Sequence, residues 1–253
     1  MRIGVLALLV AGAVLAAGAR CIENVRVYVD DDGYTHIVGE MYNETDIQGT
    51  SIMLRGTLLD GAGNVIAQKD SPICPPDSQP GAQSMFDIRF DNPNLPPHAS
   101  YRVNAIGGKV LSQRLPDPNI LVLQTDAIRL VNVPPIPGFP FKDGDVLFQF
   151  GIRNRSPQVY QGVQGCAAVY NNMGQIVATD SASLISFTPD GDIIDAVLGN
   201  QYRTDIFMQV LNVPLDASYV RAWLWLGNEG DPTSQYQFIM TPPITLQTLD
   251  FFN

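Results

Sequence analysis

Histidine, cysteine and charge are scarce in this chain: it holds two histidines, three cysteines and 16% charged residues. Nucleophilic catalysis usually needs a base, most often His, beside the nucleophile. His36 reads as the outward residue of a strand and His98 as a loop residue, both on the surface, and no Gly-x-Ser-x-Gly turn accompanies either. Zinc would need Cys or His paired at short spacing, whereas Cys21, Cys74 and Cys166 are widely separated. No glycine-rich phosphate loop occurs, so no cofactor is implied. Clusters of Lys and Arg are also missing from a chain of net charge −10. That argues against a nucleic-acid partner, whose phosphates need concentrated positive charge. Helical periodicity is not sustained anywhere, and after the N-terminus no apolar run is long enough for a membrane anchor.

What the chain has is a repeat. An offset of 111 carries Ile37 to Phe148, Asn43 to Asn154, Thr45 to Ser156, Leu58 to Val169 and Gly63 to Gly174. After an insertion of seven residues the offset becomes 118, carrying Asp87 to Asp205 and Ala99-Ser100-Tyr101 to Ala217-Ser218-Tyr219. Each copy reads as short alternating segments punctuated by many Gly and Pro residues, the pattern of antiparallel strands joined by turns. Ile37, Gly39 and Met41 match Phe148, Phe150 and Ile152, which marks that face as core. Ile52, Leu54 and Leu58 match Val163, Gly165 and Val169 and are likewise inward. Gly63 and Gly174 hold the same place in two equivalent turns, so both are expected at positive φ.

The N-terminus reads as an export signal. Arg2 precedes an uncharged apolar run from Ile3 to Ala19, and Ala17-Gly18-Ala19 offers the small residues of a cleavage site. Cleavage after Ala19 is preferred over an uncleaved anchor. Beyond the signal, disulfides can persist, and three cysteines allow one intramolecular bridge. Cys21 with Cys74 is the preferred pair, closing a loop inside the first domain; Cys74 with Cys166 is the alternative across domains.

The segments His36–Thr45 and Thr57–Val65, followed by Pro80-Gly81 and Phe86, resemble bacterial FxLYD-type domains. The resemblance covers both copies, roughly residues 22 to 110 and 128 to 228. The second departs from it where Leu198 precedes Gly199, and Leu59 stands where the family favours Tyr. It implies small extracytoplasmic immunoglobulin-like sandwiches. The expected fold class is therefore all-β: two tandem immunoglobulin-like antiparallel β-sandwiches after an N-terminal signal peptide. The expected division is signal 1–19, first sandwich 20–124 and second sandwich 125–253, with Ile120–Leu123 closing the first and Ile128–Val133 opening the second.

Among possible sites, Asp30 and Asp32 in one turn, and Asp190 and Asp192 in another, offer oxygen ligands of the kind Ca²⁺ takes. Neither cluster has the twelve-residue loop pattern, and Asp-Gly is first a turn signal. Asn43-Glu44-Thr45 and Asn154-Arg155-Ser156 both match a glycosylation sequon. Their equivalence across the repeat argues that Asn and Thr or Ser serve the turn itself. The sharpest candidate is the strand Tyr219–Leu226. Tyr219, Arg221, Trp223 and Trp225 lie on one face, and Val220, Ala222, Leu224 and Leu226 on the other. An exposed Trp face would be a ligand-binding platform for a glycan or a protein; burial in the core is the favoured alternative. The function expected is an exported, non-catalytic binding or assembly module of the cell envelope or extracellular space, with a protein partner and no nucleic acid. A soluble carbohydrate- or small-ligand-binding protein using Trp223 and Trp225 is the first alternative, and an unrecognised hydrolase the second.

Overall fold

A computed structural model describes residues 22–30, 32–111, 119–134, 141–157, 159–161, 164–183, 185–187, 193–194, 196–197, 203–210, 213–226 and 237–251. Residues 1–19, expected from the sequence to be an export signal, and Cys21, Asp190 and Asp192 lie outside them. The described residues contain no helix; the chain is all-β, with antiparallel sheets in a sandwich-like arrangement, as the alternating pattern predicts. It divides into two compact units, Met1–Gln113 and Arg114–Asn253.

Unit 1 comprises β1 (Ile22–Val29), β2 (Thr35–Tyr42), β3 (Gln48–Leu59), β4 (Val65–Cys74), β5 (Gln83–Arg89) and β6 (Ser100–Leu111), ordered β1-β2-β5-β4-β3-β6. β4 forms the corner: it pairs with β3 from Val65 to Pro72, and with β5 at Ile73 and Cys74. Ile37, Leu54, Leu58, Phe86 and Ile88 are fully buried between the two layers. Burying a side chain of this size contributes about 1.5–3 kcal/mol each. Glycine at position 39 is a packing requirement, because an added Cβ would lie 2.5 Å from the Phe86 ring.

Unit 2 comprises β7 (Ile120–Val131), β8 (Val146–Asn154), β9 (Tyr160–Gln161), β10 (Gln164–Asn171), β11 (Ile176–Ser183), β12 (Ile185–Phe187), β13 (Ile193–Ile194), β14 (Ala196–Val197), β15 (Arg203–Val210), β16 (Ala217–Leu226), β17 (Gln237–Met240) and β18 (Ile244–Asp250). Its main sheet runs β11-β10-β16-β18-β7-β8-β15-β12-β13, with β17 also on β16 and β14 paired to β9. Only the β18–β7 pair is parallel among these. Ala127, Phe148, Ile152, Val169, Ile206, Val220 and Leu224 meet in its core. The boundary differs from the expected 124/125. Residues 120–131 form one strand, β7, paired with β8 from Ile120–Asn154 to Arg129–Val146. This ladder, with a bulge at Leu123, carries Ile120–Leu123 into unit 2.

The repeated turns behave alike. Gly63 and Gly174 have φ of 83° and 77°. Before them, Asp60 Oδ1 accepts from the backbone of Ala62 and Asn64, and Asn171 Oδ1 from that of Met173 and Gln175. Farther along, register separates the copies. Asp87 pairs with Val38, but Asp205 pairs with Gly151, the counterpart of Glu40. The two aspartates that match at an offset of 118 are therefore two residues apart in the fold. An even slip keeps faces, and Phe86 and Ile88 correspond to the buried Ile206 and Met208. In β16 the slip is odd. Tyr170 pairs with Tyr219 but Asn171 with Ala217, so Ser218 is the extra residue of a bulge. β6 has no extra residue there, since Leu58 and Leu59 pair with Tyr101 and Ser100 in sequence. A shift of one residue exchanges the faces of a strand, so Ala105 corresponds to Leu224 and not to Trp223.

Candidate functional site

The Trp strand does not offer an aromatic platform. Trp223 is 0% exposed and Trp225 6%, while Val220, Ala222 and Leu224 on the other face are each 0%. Both faces of β16 are thus covered. Tyr219 and Arg221 are half-buried, and Tyr219 stacks on Tyr170 with centroids 4.8 Å apart. Cys166 stands opposite Trp223 across the β10–β16 pair and is fully buried. A sugar cannot stack on an indole with no exposed face, so the platform reading is corrected in favour of burial.

Cys74, on β4, and Cys166, on β10, are both disulfide-bonded. Cys21, the other half of the expected Cys21–Cys74 bridge, lies outside the described residues.

Asp30 is committed to protein partners: one carboxylate oxygen accepts from the backbone of Tyr34, and the other faces His36. Asp32 is exposed in the same turn. No group of three His, Cys, Asp or Glu residues suited to a metal occurs among the described residues.

His36 departs most from the sequence reading: its side chain is buried, not on the surface. β2 lies between β1 and β5, and both of its faces are covered. The imidazole Nδ1 is 2.8 Å from Asp87, its Nε2 is 3.2 Å from Asp30, and its ring stacks on Tyr28 with centroids 4.8 Å apart. Burial opposes charging this ring, but hydrogen bonds and charges of Asp87 and Asp30 outweigh it and raise its pKa. Burial likewise pushes Asp30 up, and the Tyr34 N–H together with His36 more than reverses this, lowering its pKa. The arrangement is an imidazole held between two carboxylates, which favour its protonated form. Both ring nitrogens face acidic oxygens, so neither is directed at a hydroxyl or thiol that it could activate. One signal for it was present: the repeat aligns His36 with Leu147, and an apolar counterpart marks a covered position.

The two sequons are structural turns, as expected. Asn43 Oδ1 accepts from the backbone and hydroxyl of Thr45, and Asn43 Nδ2 donates to the carbonyls of Ile47 and Ser78. Asn154 Oδ1 accepts from the backbone and hydroxyl of Ser156 in the same way. The Asn43 turn also borders a feature that the sequence did not signal. A small apolar groove of about 60 Å³ lies against it, lined by Met41, Ile47, Ile52, Ala105 and Val110. Beside it runs β6, the last strand of the unit 1 sheet, with Tyr101, Ile106 and Val110 exposed by 39%, 43% and 61%.

No family model matches the chain, and no curated protein matches it. Among solved structures it is similar to a transglutaminase of red sea bream, at 10% identity and a TM-score of 0.26, over 90% of this chain and 32% of that one. It is also similar to the BSP domain of a biofilm-associated protein, at 8% identity and a TM-score of 0.20, over 90% and 30%. The chain thus spans about a third of the length of these structures. Likeness at this level carries no argument about activity.

Proposed function

We propose that this protein is an exported, non-catalytic binding or assembly module of the cell envelope or extracellular space, acting through protein–protein contacts. The observation that carries this reading is the contrast between enclosed chemistry and an exposed apolar edge. His36, Asp30, Asp87, Trp223 and Trp225 are tied into the fold, whereas β6 presents Tyr101, Ile106 and Val110 at the margin of a sheet. Aromatic and aliphatic groups on an open strand are what a partner protein covers. The apolar run from Ile3 to Ala19 supports export, and no helix among the described residues is long and apolar enough to cross a membrane.

In-cell crosslinking of the native protein, followed by mass spectrometry, tests the reading. The expected result is one recurrent envelope or extracellular protein attached to one face. Recovery of the chain free in the medium with no crosslinked protein would overturn it.

A further inference from the structure

In unit 2 the outer edge of β16 is occupied. β17 pairs with Trp223–Leu226 and β18 with Tyr219 and Val220, and the Thr241 N–H donates to the Ala222 carbonyl. Ile239 on β17 pairs with Leu224 and enters the core of the unit. The shifted register of β16 makes Ala105 the counterpart of Leu224. On the corresponding edge of β6, no described strand of unit 1 pairs. Where unit 2 places Ile239, unit 1 has the apolar groove beside Ala105, Ile52 and Val110. At the other end of β6, the Tyr101 hydroxyl donates to the Val25 carbonyl of β1, a single side-chain bond in the place of a ladder.

We infer that the edge of β6 left open by the described strands takes a strand from a partner: an extended segment with a branched apolar residue for the groove and acidic residues flanking it. This rests on the protein-binding reading and names its site and chemistry. An added strand gains main-chain hydrogen bonds from the edge and selectivity from the side chain it buries. Charge selects the partner. β6 carries Arg102 and Lys109, both exposed, and no acidic residue, in a chain of net charge −10. A second copy pairing through β6 would bring together two strands that each carry these two cations and no carboxylate to offset them, and like charges across a strand pair repel. The two cations and the bulge at Ile106 keep a lone edge from pairing with itself. Acidic flanks turn the same cations into contacts.

The test uses the full-length oxidised protein and a synthetic peptide carrying the sequence of Gln237–Met240 between flanking glutamate pairs. Hydrogen exchange should show saturable protection of β6 amides, with β16 unchanged. Arg102→Glu together with Lys109→Glu, both on the surface, should weaken binding by about tenfold or more. A peptide N-methylated on alternate residues should give no protection. Protection that survives N-methylation, or none at millimolar peptide, would overturn the inference. So would β6 protection that rises with protein concentration alone, which would identify a second copy as the occupant. Crosslinks to a partner at residues away from β6 would also overturn it while leaving the protein-binding reading standing; absence of any partner would remove both.

Discussion

β6 and β16 hold the same place in the repeat, yet β16 is bonded along both edges and buried on both faces. Among the described residues β6 is bonded along one edge, and it exposes a third or more of several apolar side chains. The inner partner is equivalent in each case, β3 for β6 and β10 for β16. The difference therefore lies in where the chain goes on leaving the strand. Beyond β16 it returns as β17 and β18, whereas the next described strand after β6 is β7, which belongs to the next unit. The described strands of a sandwich can thus enclose a core and still leave one edge open, because its layers are held by side chains while its edge is held by backbone.

Three measurements bear on this contrast. The largest effect is expected from Trp223→Ala, which empties a fully buried site on β16. Denaturant unfolding should show a loss of about 3–5 kcal/mol, while Val110→Ala on β6 should stay within about 0.5 kcal/mol. Equal effects would mean that the two strands are not differently enclosed. Next are Asn43→Ala and Asn154→Ala, each removing the acceptor for a Thr or Ser backbone and hydroxyl inside a covered turn. Each should cost about 1–3 kcal/mol, and a large imbalance between them would show that the turns are not equivalent.

The smallest effect is a pH dependence confined to unit 1, which holds both histidines of the chain. The raised pKa of His36 means that its stabilising contribution is complete below about pH 6.5 and is lost as pH rises through the folded-state value. Asp30, with its lowered pKa, contributes above about pH 4 and loses that contribution as pH falls. Protection of unit 1 amides, corrected for the intrinsic exchange rate at each pH, should be greatest between these limits. His36→Gln should abolish the loss on the alkaline side and leave unit 2 amides unaffected. Loss of protection in both units alike would refute a local origin.

Much of the fold was legible because turns and core positions obey local rules. Gly63, Gly174, Asn43 and Asn154 revealed themselves by recurring, and Ile37 and Phe148 by alternation. The face of Trp223 was not legible. An offset of 118 paired it with Ala105 when the bulge at Ser218 makes the true counterpart Asn104, and one extra residue leaves no periodic trace. His36 was misplaced because alternation gives two faces but does not say that a neighbouring strand and its carboxylates cover the second. The groove was invisible for a related reason: an open edge among the described strands is set by pairing, and pairing leaves no mark on the residues of the edge itself.

The Asn43 turn has a practical consequence for production. Both amide hydrogens of its side chain are spent on the carbonyls of Ile47 and Ser78. A eukaryotic secretory host attaches glycans to the nascent polypeptide before such turns close, and the linkage consumes one of those hydrogens. A sugar there would stand where the turn has to shut, so yield from yeast or mammalian culture should suffer while bacterial periplasmic production should not.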